Sequence, residues 1–275
     1  NIFTMRGMHS SVVFDNKMWV IGGTYGENYY NDVWSSPNGD VWTQVTTNAG
    51  FAGRCSHQSV VFNNKIWVIG GQHSAGAINF NDVWSSPDGI NWTQETASAE
   101  FSPRNGHTCV VFNNKIWLIG GWSNDIWSST DGKIWTLEIN QHDFLVRGGH
   151  VSPIFNNKLW IIAGCVTPFP TLDNSIWSSD NGTNWSQLTT NASFSPRASH
   201  SGVVFNNKMW VIGGQIQNDP YTTINDVWSS SDGINWTQAT PNAAFGPRSG
   251  HSSLFFNDKM WVIGGPDNQV WYCEY

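Results

Sequence analysis

Among the residues that could do chemistry, six arginine–histidine pairs come first. The motif is R-x-x-H, at Arg6/His9, Arg54/His57, Arg104/His107, Arg147/His150, Arg197/His200 and Arg248/His251. Arginine offers a planar fork for carboxylates, and histidine can exchange a proton near neutral pH. Gathered on one face, the pairs would suit an anion or carboxylate site, or in a weaker version a six-histidine metal ring. The opposing reading is that all six brace the structure, because a repeated architecture needs identical parts and a specific site does not. A second set is aromatic and irregular: Tyr25, Tyr29, Tyr30, Phe80, Trp122, Phe169 and Tyr221. Exposed aromatics beside Asn, Gln and Asp suit sugar stacking or a protein hot spot. No nucleophile motif, phosphate-binding loop or metal-spaced cluster appears. No catalytic residue, metal ligand or cofactor is therefore assigned.

The elements that must position these groups follow from self-comparison. "RCSHQSVVFNNKIWVIGG" recurs as "RNGHTCVVFNNKIWLIGG", "RASHSGVVFNNKMWVIGG" and three further variants. Repeats begin at residues 6, 54, 104, 147, 197 and 248. Each unit reads as four short strands. Strand A is of the "HSSVVF" type and ends at an "NNK" turn. Strand B is "KIWVIGG", apolar and β-branched. Strand C is "NDVWSS", and an Asp-Gly turn leads to strand D, "NWTQ". The period has no room for a helix, and stacking such sheets around an axis buries both faces of each. The expected fold is all-β: one six-bladed β-propeller domain over residues 1–275. The sixth unit stops after "QVWYCEY", so its blade is expected to lack the outer strand.

Seventeen of the 18 tryptophans fall at repeated places in strands B, C and D and are expected to pack between blades; Trp122 alone lies outside the pattern. The glycine pair closing strand B, the later "NDVW" and the strand-D tryptophan resemble the kelch repeat over nearly the whole chain. One departure is Trp in strand C, where kelch repeats often carry Tyr. The "SSPDGINW" turn is similar to the Asp-box of sialidases with one residue fewer, and is read as a turn. The resemblance implies a binding face on which arginines contact ligands in some kelch domains, so the six arginines stay candidates. It also implies two enzyme types. A copper-radical sugar oxidase would need Tyr, His and a Tyr–Cys crosslink, and no matching set is present. A sialic-acid mutarotase would work at the central opening. The off-repeat acid–base candidates are few: Glu27, His73, Asp173 and Asp219.

Strand alternation puts A–B and C–D turns on one face and B–C and D–A connections on the other. The first face is uniform; the B–C segments vary in length and carry the irregular aromatics. Ligand groups favour connections held on a rigid scaffold, so this face is where a ligand is expected. The default function is a non-catalytic binding propeller for a glycan or a protein; the alternative is the mutarotase-like enzyme. A net charge of −7 with 12% charged residues disfavours nucleic acid. No apolar run is long enough to insert in a bilayer. Cys55, Cys109, Cys165 and Cys273 have no common spacing and are expected as isolated thiols. Low charge and abundant Asn, Ser, Thr and Trp suit an extracellular or cell-surface protein, although free thiols point the other way; of the sequons at Asn91, Asn181, Asn184, Asn191 and Asn235, those at Asn91, Asn184 and Asn235 follow from the repeat and say little about glycosylation.

Overall fold

The computed structural model describes residues 2–74, 78–141, 144, 146–216 and 222–274. Its strands form six antiparallel sheets arranged as the blades of a propeller, with no helix among the described residues. In blade 1, strand A is Ser10–Phe14, B is Lys17–Tyr25, C is Asn28–Ser36 and D is Thr43–Thr46. Blades 2, 3 and 5 keep this order. In blade 4 the inner strand is broken into Arg147–Gly148 and Ile154–Phe155. Pro153 lies at the break and has no N–H to give to the ladder. Among the described residues blade 6 has three strands, the last being Val270–Glu274, as the short sixth repeat predicts.

Two sequence expectations move. Strand D begins just after its tryptophan in blades 1, 2, 3 and 5, at the threonine that follows it. More important, the long B–C segments are not loops. Strands B and C of blades 1, 2, 4 and 5 each run nine residues, and their ladder continues past the glycine pair through a register shift. Tyr25 therefore ends a strand B, whereas Tyr29, Tyr30 and Phe80 sit on strands C.

The core is six clusters, one at each interface between blades. Trp19, Ile21 and Val33 of blade 1 pack with Phe51, Ile66 and Val68 of blade 2. Trp261 and Ile263 of blade 6 pack with Phe3, Met18, Val20 and Trp42 of blade 1, which closes the ring. All six strand-B tryptophans are at most 5% exposed. Each donates its indole N–H to the carbonyl ending strand A, as Trp19 does to Phe14 at 2.8 Å.

The C–D turn explains its own sequence. Ser86 Oγ accepts the Gly89 N–H at 2.8 Å, and Asp88 Oδ1 accepts the N–H groups of Ile90 and Asn91, both at 2.8 Å. These donors hold the Asp88 carboxyl at about 2 despite the opposing desolvation. Gly89 has φ +74°, and a Cβ there would lie 2.1 Å from the Trp19 ring of the preceding blade. The glycine thus serves both the turn and the blade interface. Gly89→Ala should therefore combine left-handed strain with overpacking, about 2–4 kcal/mol of lost stability. A urea-unfolding midpoint within error of the parent protein would contradict this assignment.

Candidate functional site

The residue two places after each repeat arginine has left-handed backbone: Met8, Ser56, Gly106, Gly149, Ser199 and Gly250, with φ between 52° and 65°. This conformation turns each peptide toward its neighbour around the axis. Met8 N–H donates to Gly250 C=O, Ser56 to Met8, Gly106 to Ser56, Gly149 to Gly106, Ser199 to Gly149 and Gly250 to Ser199, at 2.6–3.0 Å. The result is a closed girdle of six backbone hydrogen bonds, one per blade.

Two cavities share the girdle. On one side lies the central channel, about 280 Å³, walled by His9, His57, His107, His150, His200, His251 and the hydroxyls of strand A. Some imidazoles bond a hydroxyl of the preceding blade: His57 Nε2 lies 2.8 Å from Ser10 Oγ, and His9 Nε2 lies 2.9 Å from Ser252 Oγ. Burial first, then the adjacent arginine charges, push all six histidines down; His9, His107, His150 and His251 fall to about 3. The six imidazoles are therefore neutral at physiological pH. Among the described residues no group of three or more His, Cys, Asp or Glu is placed to hold a metal.

The other cavity, about 650 Å³, opens on the B–C face. It lies off-centre, toward blades 3, 4 and 5. Trp122 and Phe169 stand at it, 41% and 65% exposed, with ring centroids 5.6 Å apart in an edge-to-face arrangement. Trp122 has φ 63°, uncommon for a bulky residue. Its N–H bonds the Arg147 carbonyl at 2.9 Å, and its indole lies over Gly148, where a Cβ would meet it at 2.9 Å. Gln72, Asn105 and Gln215 supply amides, Ser56 and Ser199 hydroxyls, and Cys165, Leu172 and Ile216 the softer wall. The described lining of this cavity carries no charged side chain.

The predicted residues separate accordingly. Of the aromatic set, Trp122 and Phe169 meet at this cavity. Tyr30 and Phe80 lie 4.4 and 4.3 Å from the guanidinium carbons of Arg6 and Arg54. Tyr29 stacks on His73, centroids 4.5 Å apart, and Tyr25 is exposed at the tip of its hairpin. Tyr221 and Asp219 lie outside the described residues. Glu27 is exposed, and Asp173 pairs with Arg147 at 3.2 Å. The six arginines line neither cavity and are at most 2% exposed. Arg54 forms a two-pronged pair with Asp82 at 2.7 and 2.9 Å and also donates to Gly70 C=O at 2.9 Å.

Sequence reasoning missed the amides. Gln72, Trp122, Cys165 and Gln215 all follow directly after the glycine pair or its Ala-Gly equivalent, and that place differs between repeats (Thr24 and Pro266 in the others). A column varying inside an otherwise constant strand was the available signal. The four cysteines are unpaired, three of them buried.

Residues 1–121 and 122–274 match the family described as the KLHDC2/KLHL20/DRC7 Kelch-repeats domain. Among solved structures, the chain resembles "Structure of YjhT", with a TM-score of 0.80 and 15% identity, over 98% of this chain and 95% of that one. No curated protein sequence matches.

The buried histidines set a pH dependence. A histidine held neutral in the fold gains a proton only when unfolded, so stability is full above pH about 6.5. It is lost as pH falls from there toward 3, because the unfolded chain then binds more protons than the native one. The aspartates held low keep their full contribution above their ordinary values near pH 4 and add to the loss only below that. The thermal midpoint should be flat above pH 7 and fall steeply between pH 6 and 4. A midpoint level down to pH 4.5 would contradict the lowered values.

Proposed function

This chain belongs to the KLHDC2/KLHL20/DRC7 Kelch-repeats domain family, and from that footing we propose that it is a non-catalytic binding propeller whose ligand is an uncharged glycan held in the Trp122–Phe169 cavity. The observation that carries this reading is the pairing of two exposed aromatic rings with amide and hydroxyl side chains, around a lining that carries no charge among the described residues. Sugar rings present a C–H face that packs on an aromatic ring and hydroxyls that exchange hydrogen bonds with amides. An acidic sugar would need a cation, and the six repeat arginines are buried and each is ion-paired with an aspartate. The cavity volume of about 650 Å³ is in the range of clefts that enclose small ligands. A glycan ligand accords with an extracellular or cell-surface location, which we propose with it.

A peptide ligand has one observation in its favour. The B–C hairpins of blades 1, 2, 4 and 5 are long and on the same face as the cavity, and they would border an extended partner.

An array of uncharged and acidic glycans tests the assignment. Retention should be confined to uncharged members, and Trp122→Ala should weaken it at least tenfold while leaving the unfolding midpoint within a few degrees. Retention of acidic glycans alone, or undiminished retention by Trp122→Ala, would overturn it.

A further inference from the structure

The cavity on the B–C face does not offer the same chemistry on every side. Strands B and C pair in the same register in blades 2, 4 and 5, so their walls compare rung by rung. The rung next to the second glycine is Gln72–Asn79 in blade 2 and Gln215–Thr223 in blade 5. In blade 4 the same rung is Cys165–Leu172.

The polar side continues into blade 3, where Asn105 Nδ2 donates to Asn79 Oδ1 at 2.8 Å. Blade 4 differs throughout. The side chains it gives to the described lining are Cys165, Phe169, Pro170 and Leu172, and none of them carries an amide, a hydroxyl or a charge. Cys165 is 6% exposed, and burial pushes its thiol up, so it stays protonated and uncharged. Ile216 of blade 5 extends this apolar wall. Phe169 stands at the rim, a large ring left mostly in water.

A free sugar carries hydroxyls around its whole edge. Any hydroxyl turned toward blade 4 would leave water without gaining a partner, which costs the desolvation of that group. An apolar substituent on that edge would instead be favoured by its removal from water. The rungs thus set both the composition of the ligand and its orientation.

We propose that the ligand is a glycoside with an apolar aglycone, an inference that rests on the glycan reading of this cavity. The sugar ring would lie toward Gln72, Asn105 and Gln215, and the aglycone toward Cys165, Leu172 and Phe169. Alkyl and aryl aglycones share this chemistry, and the probes of the test separate them.

The test titrates the 275-residue chain with methyl, hexyl and phenyl glycosides of glucose, galactose and mannose, followed by isothermal titration calorimetry. For at least one of these sugars, the hexyl or the phenyl glycoside should bind at least about tenfold more tightly than the methyl glycoside. A larger gain for hexyl identifies an alkyl aglycone, and a larger gain for phenyl an aryl one. Leu172→Asn puts an amide on the apolar rung and should cut that gain at least about threefold. Equal binding of the methyl, hexyl and phenyl glycosides would overturn the aglycone and leave the glycan reading standing. Binding of no glycoside at millimolar concentration would overturn both. A gain undiminished in Leu172→Asn would overturn the placement against blade 4.

Discussion

The repeat arginine ties each blade to the one before it, and the rest of the structure depends on that tie. Arg54 shows how. Its backbone N–H donates to Tyr30 C=O and its C=O accepts from Gly23 N–H, both in blade 1, at 3.0 and 2.8 Å. Its guanidinium turns the other way, into blade 2, onto Asp82 and the Gly70 carbonyl. One residue therefore fixes the outer half of one hairpin and the inner half of the next. The carbonyl half of the tie recurs six times, ending where Arg6 accepts from Gly265 at 3.0 Å and joins the last blade to the first. A buried guanidinium is tolerable only with its charge paired and its donors used, which is why an aspartate accompanies each arginine.

Several neighbouring features follow. The first glycine of the pair must present its carbonyl to the guanidinium with φ near +60°, while the next blade's histidine and arginine carbonyl crowd its Cα: a Cβ on Gly70 would meet His107 at 2.9 Å. Blade 4 shows which part is indispensable. Ala163 replaces that glycine at φ 58°, yet its carbonyl still accepts from Arg147 at 2.9 Å. Ser175 replaces the aspartate, and Asp173 supplies the negative charge from two residues earlier. The tie is rebuilt from other atoms, and the segments released from the strict pattern are those that bring Cys165, Phe169 and Leu172 to the cavity beside Trp122. The B–C face is individual where blade 4 departs from its siblings.

Blade number, strand order, the three-stranded last blade and the packing of the tryptophans were legible because each rests on a residue type recurring at fixed spacing. The cavity was legible only in part. Trp122 and Phe169 stood out as breaks in the repeat. Tyr29, Tyr30 and Phe80 looked equally irregular, but a register shift carries the ladder past the glycines, and Tyr30 and Phe80 then cover the guanidinium groups. No local pattern reports that shift. The girdle was also hidden, since Met8, Ser56, Gly106 and the others share a backbone conformation and not a side chain. For the arginines, R-x-x-H left an anion site open beside the bracing role, because it shows their chemistry and not their partners, which lie between 19 and 29 residues away in sequence.

The most direct measurement is the equilibrium unfolding of Arg54→Lys. Lysine keeps the charge but has no fork, so it cannot hold both oxygens of Asp82 and the Gly70 carbonyl together. If the arginines are the ties between blades, the urea midpoint must fall by an amount equivalent to about 1.5–3 kcal/mol, the worth of one charge-assisted hydrogen bond or more. An unchanged midpoint would contradict the account and return the arginines to the ligand.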